Sequence, residues 1–259
     1  MGIINCTPDS FFAGSRTSNS KELVAKTALM LDEGATFIDI GAYSSRPGAP
    51  FVSQEEELSR LVPSIELLVK EFPELLISVD TFRADVASKA VDIGACMVND
   101  ISGGNADRKM FETVAKLQVP YIAMHMQGTP QNMQNNPTYT NIVQEIIQKF
   151  SHTAFTLKSL GLKDLVFDVG FGFGKTIEHN YELLQNLDLF QSLDCPILTG
   201  ISRKSMLYKP LDTTAQGALN ATTVAHTIAL QKGSQILRVH DVKEAVETVK
   251  ILELTKGEA

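Results

Sequence analysis

The stretch Leu75-Leu-Ile-Ser-Val-Asp80-Thr-Phe-Arg-Ala-Asp-Val-Ala-Ser-Lys-Ala-Val-Asp-Ile-Gly94-Ala-Cys-Met-Val-Asn-Asp100 decides the fold. It opens on an apolar run closed by a carboxylate, passes through a helical pattern that stops at Gly94, and returns to an apolar run closed by Asn99 and Asp100. A strand, a helix and a second strand in that order make a parallel unit, because parallel neighbours need a crossover of about this length. Neither run alternates apolar with polar residues, which fits strands buried on both faces.

Working outward, the same grammar repeats. Apolar runs stand at Met1–Asn5, Phe37–Gly41, Leu75–Asp80, Cys96–Asp100, Tyr121–His125, Leu165–Asp168, Ile197–Ser202 and Ile236–His240, with helical patterns filling most of the space between. Eight strand–helix units predict an α/β fold, a single (β/α)8 TIM barrel over residues 1–259, whose reactive groups sit at the carboxyl ends of the strands. Met1 lies at the start of the first run, which leaves room for an N-terminal element ahead of it. Capping signatures place helix starts at Asn19-Ser-Lys-Glu22, Ser53-Gln-Glu-Glu56 and Asp241-Val-Lys-Glu244. Other helices are expected after Arg83, over Asp107–Leu117, from Asn141 to Leu160, near Glu178 and near Thr213. Three connections are long, Ser10–Ser18, Ala42–Val52 and Met126–Thr140. All fall on the carboxyl-terminal rim, where long loops serve as lids.

Composition bounds the function. The 259 residues match the roughly 250 of one barrel. A hydrophobic content of 44% supports a large core, and no apolar stretch reaches the roughly 20 residues of a membrane span. No basic leader precedes the first run, so a cytoplasmic protein is expected. The net charge of −7 argues against a nucleic-acid partner. Cys6, Cys96 and Cys195 are odd in number and widely spaced, which reads as core residues in a reducing compartment. The five histidines contain no H-x-x-x-H pair, so a histidine-based metal site is not expected.

The strand ends carry the chemistry. Asp80, Asn99, Asp100 and Asp168 follow apolar residues, and a carboxylate in such surroundings is costly unless hydrogen-bonded. A ring of such acceptors suits a heterocycle edge rich in N–H donors; the alternative is that each side chain pins a loop. The run Val169-Gly-Phe-Gly-Phe-Gly-Lys-Thr176 fails the phosphate-loop pattern at Val169 and fails G-x-G-x-x-G at Lys175. It suits a backbone that approaches a ligand closely while Phe171 or Phe173 covers a flat face. Arg46, Lys204, Arg238 and His240 supply positive charge at the same rim, and barrels bind phosphate after strands seven and eight. Arg238 and His240 alternate along the last run, so both should point the same way.

Taken together, Met1-Gly-Ile-Ile-Asn-Cys-Thr-Pro-Asp-Ser-Phe11, Ser44-Ser-Arg-Pro-Gly48, Ser78-Val-Asp-Thr81, Asn99-Asp100, Asp168 with Gly170-Phe-Gly-Phe-Gly-Lys175, Ser202-Arg-Lys-Ser205 and Arg238-Val-His240 resemble the motifs of bacterial dihydropteroate synthases, in family order. The resemblance implies a barrel that joins p-aminobenzoate to 7,8-dihydropterin-6-ylmethyl diphosphate and releases pyrophosphate, as a homodimer using Mg²⁺. It implies that Asp80, Asn99, Asp168 and Lys204 hold the pterin with Arg238 stacked on its face, and that Asp80, Lys204 and Arg238 lie closest to the chemistry. It gives Asn5, Arg46, Arg238 and His240 to the diphosphate and its metal, with Asn5 as the metal ligand and Ser45 beside them. Phe11, Pro47, Phe173 and Ser205 would shape the aminobenzoate pocket. The chain departs from the family pattern at Ala13, where an acidic residue is usual, at Val169 and at Ser45. Two other readings share part of this site: a barrel that transfers a methyl group from a methylated folate, and a non-catalytic pterin- or phosphate-binding barrel.

Overall fold

The structure, a computed structural model, describes residues 1–6, 16–44 and 50–257. Eight strands are present: β1 Gly2–Asn5, β2 Phe37–Gly41, β3 Leu76–Asp80, β4 Met97–Asp100, β5 Tyr121–Met124, β6 Leu165–Asp168, β7 Ile197–Thr199 and β8 Ile236–Leu237. Each pairs in parallel with the next in sequence. The ring closes where Gly2 bridges Val239: Ile3 donates its N–H to the Val239 carbonyl at 3.0 Å, and Val239 donates to Met1 at 2.9 Å. Closure removes the free sheet edge. The eightfold barrel expected from the strand–helix repeat is therefore the observed one.

The helices are α1 Arg16–Asp32, α2 Gln54–Glu71, α3 Ala84–Asp92, α4 Met110–Leu117, α5 Ile142–Ser159, α6 Ile177–Gln185, α7 Ser205–Tyr208, α8 Leu219–Gln231 and α9 Val242–Lys256. Local chemistry sets several of their starts. Ser53 accepts from the Glu56 N–H at 3.1 Å, and three glutamates in the first turn complement the dipole of α2. Asn141 caps α5 through Gln144 N–H at 2.9 Å, and Thr176 caps α6 reciprocally with His179.

Three expectations are corrected. Asn19–Glu22 lies inside α1, which begins at Arg16, so it is no cap. Asp241 makes no cap bond to α9 because its carboxylate is occupied by Arg203, at 2.7 and 2.8 Å. The helix expected near Thr213 starts at Leu219, after the short α7 and two 3₁₀ turns. The last two strands are also shorter than their apolar runs, although Arg238 still donates its N–H to Thr199 O at 3.0 Å and so extends the β8 pairing.

The barrel interior is layered. Met97, Ile122, Val166 and Leu198 make a dry floor, with Phe37 and Ile236 packed on it. Above the floor the inward residues become polar, whereas Ile38, Ile40, Ile77 and Val79 on the alternate positions face the outer helices and join the main core. The apolar floor closes the barrel from below, so the polar layer opens only toward the carboxyl-terminal rim.

Candidate active site

The polar layer begins with a residue that sequence reasoning missed. Asp39, in the middle of β2, is fully buried and accepts from Ser78 Oγ at 2.6 Å, Asn99 Nδ2 at 3.0 Å and Arg238 Nε at 2.6 Å. It joins β2, β3, β4 and the end of β8 through one carboxylate. The available signal was a lone acid between isoleucines in Phe37-Ile-Asp-Ile-Gly41, since no such charge can be buried without partners. Arg238 also donates from Nη2 to Asp80 Oδ2 at 2.7 Å, so its guanidinium is held by two carboxylates.

Above this hub, Asp80, Asn99, Asp168, Lys204 and Arg238 line one cavity with Ile101, Met124, Phe173 and Gly200. The cavity opens to solvent at the rim. Residues from five separate parts of the chain thus converge where the strand ends placed them. Asp100 does not join them. Its side chain points away from the cavity and accepts from Ser102 N–H, Gly104 N–H and Tyr121 Oη at 2.7–2.8 Å, pinning the loop after β4. Adjacent strand residues face opposite sides, which separates Asn99 from Asp100.

The opposite wall is the glycine run. Phe171 is buried in the core, and of the two phenylalanines only Phe173 reaches the cavity, its ring centroid 4.5 Å from Lys204 Nζ. Lys204 Nζ also donates to the Phe171 carbonyl. A side chain at Gly172 would press on the Lys204 stem at 3.2 Å, and the φ of +81° there suits glycine. Within Ser202-Arg-Lys-Ser205 the two cations diverge: Arg203 forks onto Asp241 while Lys204 enters the cavity.

Electrostatics follow from burial and pairing. Desolvation raises the Asp80 pKa to about 7, with Arg238 opposing and Asp39 reinforcing the shift. Desolvation likewise raises Asp168, against the pull of Lys204 and the Gly170 N–H. Lys204 is lowered to about 8 by desolvation, despite Asp168. For Arg238 desolvation also works against the charge, but Asp39 and Asp80 outweigh it and hold its pKa above the ordinary value.

His240 sits at the exposed rim, beside Ser202 rather than in the cavity lining. Desolvation by the surrounding protein, with Arg238 next, lowers its pKa to about 4, so its ring is neutral at pH 7. Its backbone N–H donates to Ser202 Oγ at 3.2 Å, and the same Oγ lies 3.0 Å from His240 Nδ1. With the Ser202 hydroxyl as donor to Nδ1, the proton would sit on Nε2 and make the ring a neutral donor to an anion.

Asn5 ends β1, half-buried. Among the described residues no three His, Cys, Asp or Glu side chains converge on a metal position. A Mg²⁺ ion bound chiefly by phosphate oxygens and waters would need only one or two protein oxygens, and an asparagine amide oxygen is a donor of that chemical kind.

Residues 1–240 match the family model described as pterin binding enzyme. The chain is 42% identical over 257 residues to dihydropteroate synthase of Haemophilus influenzae, covering 98% of this chain and 93% of that one. It is 40% identical to the Escherichia coli K12 enzyme, covering 98% and 90%. It superposes on the Yersinia pestis dihydropteroate synthase solved with a sulfonamide drug with a TM-score of 0.92, at 41% identity and 99% and 94% coverage.

The chain belongs to the dihydropteroate synthases, a family of pterin-binding enzymes.

A dihydropteroate synthase of Xanthomonas albilineans, solved with 4-aminobenzoic acid, matches with a TM-score of 0.90 at 36% identity, covering 99% and 92% of the two chains. Of the residues to which resemblance to dihydropteroate synthases gave roles, Phe11, Ser45, Arg46 and Pro47 lie outside the described residues, as does Ala13. Two of the three long connections also fall partly there. The third, Met126–Thr140, is bonded to the glycine run in this structure: Gln134 donates to Gly172 O at 2.7 Å and Tyr139 to Gly174 O at 2.8 Å. Ser205 opens α7 beside Lys204, half-buried but outside the cavity lining.

Proposed function

We propose that this chain condenses p-aminobenzoate with 7,8-dihydropterin-6-ylmethyl diphosphate in folate biosynthesis, releasing pyrophosphate. The observation that carries the reading is the single cavity shared by Asp80, Asn99, Asp168, Lys204 and Arg238 in a chain of this family. Carboxylates and an amide present acceptors to the ring's N–H edge, and the Lys204 ammonium donates to a ring carbonyl. Arg238 has its Nε and Nη2 committed to Asp39 and Asp80, so it offers the ligand a flat cationic face.

Departure of pyrophosphate leaves a methylene cation delocalised into the pterin. Asp80, Asp168 and Asp39, close beneath the ring, stabilise that charge as it develops. Arg46, the Nε2–H of His240 and Asn5 hold the departing anion in this reading. Asn5 would hold a Mg²⁺ together with the diphosphate, and the ion would supply charge neutralisation for the leaving group. The aniline nitrogen is already nucleophilic, so its orientation by Phe11, Pro47, Phe173 and Ser205, and the exclusion of water, matter more than a strong base. Pyrophosphate release measured with and without p-aminobenzoate tests the proposal. Release that depends on the amine is expected; binding of the pterin without turnover at any Mg²⁺ concentration would overturn it.

Two further parts of the reading concern the whole particle. A homodimer through the outer helices is supported by exposed Val224 and Ile228 on α8 and Ile251 and Leu254 on α9. A cytoplasmic location is supported by the three free cysteines; among the described residues no helix is long and apolar enough to cross a membrane.

A further inference from the structure

Lys175 closes the glycine run and is almost wholly buried, at 3% exposure, outside the cavity lining. Its Nζ lies 2.9 Å from Gly170 O, 3.0 Å from Phe173 O, 3.3 Å from His125 O and 3.0 Å from His125 Nδ1. Three of these partners are backbone carbonyls, which only accept. Gly170 O also accepts from the Phe173 N–H at 3.1 Å, so that carbonyl is held twice. Desolvation pushes the Lys175 pKa well below its ordinary value, against the pull of Asp168. Desolvation and the neighbouring Lys175 lower the His125 pKa to about 2, so its ring is neutral.

The carbonyls held by Lys175 belong to the residues that shape the cavity. Gly170 donates its N–H to Asp168 Oδ1 at 2.8 Å, while its carbonyl is held by Lys175. The other oxygen, Asp168 Oδ2, lies toward Gly200 in the cavity lining. Phe173, whose carbonyl is the next one held, places its ring against Lys204. All five carbonyls from Gly170 to Gly174 are tied: two by Lys175, and the others by Lys204, Gln134 and Tyr139. A Cβ at Gly170 would meet His125 O at 1.9 Å, so this close docking onto the β5 end requires glycine.

We infer that Lys175 is a positioning residue for the condensation: by clamping Gly170 and Phe173 onto the end of β5, it sets the Asp168 carboxylate and the Phe173 ring against Lys204. This rests on the proposed function, and the experiment separates the two. Amine-dependent pyrophosphate release by the wild-type chain tests the reaction; the variants below test the clamp, partly by binding alone.

Lys175→Met keeps the side-chain length and removes every donor. It is expected to weaken binding of the dihydropterin diphosphate, read by calorimetry, about tenfold and to lower kcat on the order of a hundredfold, as misplacement of about 1 Å does. The KM for p-aminobenzoate should rise through Phe173. Tyr139→Phe removes a tie on the same loop at Gly174, away from Asp168 and Phe173, and should leave all three constants within about twofold, the context error of a single hydrogen bond. Lys175→Ala with added propylammonium should regain activity, because the cation can occupy the vacated channel; a general loosening of the fold would not respond. If Lys175→Met does not fold, Lys175→Gln, which keeps two donors, is expected to show the same pattern at smaller magnitude. The inference is overturned by a folded Lys175→Met or Lys175→Gln with unchanged pterin affinity and KM. Losses in Tyr139→Phe equal to those in Lys175→Met, or no rescue of Lys175→Ala by propylammonium, would likewise overturn it.

Discussion

The two walls of the cavity are built on different principles. The wall from β2, β3 and β4 is made of side chains bonded to side chains: Asp39 gathers Ser78, Asn99 and Arg238, and Arg238 reaches on to Asp80. The wall from β6 and β7 is made of side chains bonded to backbone: two lysines hold the carbonyls of a glycine run. The first sits on strands, where the barrel fixes each Cβ. The second sits on a loop, which must be fastened before its residues can grip anything. A rigid strand wall and a clamped loop wall can thus present one set of donors and acceptors to a flat ring.

The largest effect is expected at the hub of the strand wall. Asp39→Ala leaves the Arg238 charge, the Asn99 amide and the Ser78 hydroxyl short of a partner. Removing one side of a buried ion pair costs about 3–5 kcal/mol, so urea unfolding should show a loss of that order together with loss of turnover. Full turnover in this variant would break the comparison, since the strand wall would not depend on its hub.

Next come the cavity groups themselves. Lys204→Met or Asp168→Asn should weaken pterin binding about ten- to a hundredfold, the range of a hydrogen bond to a charged group, in calorimetry. Wild-type affinity in either would remove that residue from the site.

A smaller effect is expected from pH, and it tests one group from each wall. Asp80 must be ionised to accept from the ring, and Lys204 must be protonated to donate. With pKa values of about 7 and about 8, kcat/KM should rise as Asp80 loses its proton and fall as Lys204 loses its own. Asp80→Asn should remove the acid limb. Linkage gives the sign for stability. The Asp80 pKa is raised above its ordinary value, so its contribution is fully present below about 4. It is lost as pH climbs to about 7, and bound pterin should restore it.

The least effect on activity is expected at Asp100, which resembles Asp80 in sequence but faces away. Asp100→Asn should cost about 1–3 kcal/mol of stability through its loop contacts and leave pterin affinity unchanged. Loss of affinity without loss of stability would mean that the two faces of β4 are coupled.

Much of this site was legible because period and position carry it. Apolar runs ending in Asp80, Asn99 and Asp168 announced both the strands and the polar rim, and the cavity contains all three. Asp39 stayed hidden because it lies mid-strand, where strand-end reasoning does not look. Lys175 stayed hidden because its position in a failed phosphate-loop pattern drew attention to the glycines. The capping readings at Asn19 and Asp241 failed for a related reason. A cap is a local pattern, but Asp241 is taken by Arg203 from another strand end.

By itself, then, the amino-acid sequence determined the barrel, the order of its strands and which end carries chemistry. Those follow from apolar runs, helix period and glycine stops, which act between residues near one another along the chain. Only the tertiary structure decided which of the adjacent Asn99 and Asp100 faces the cavity, that Asp39 is the shared acceptor, and that Lys175 holds the loop opposite. Those contacts join residues far apart in sequence, and each buried charge is tolerable only where the closed barrel brings its partners within hydrogen-bonding distance.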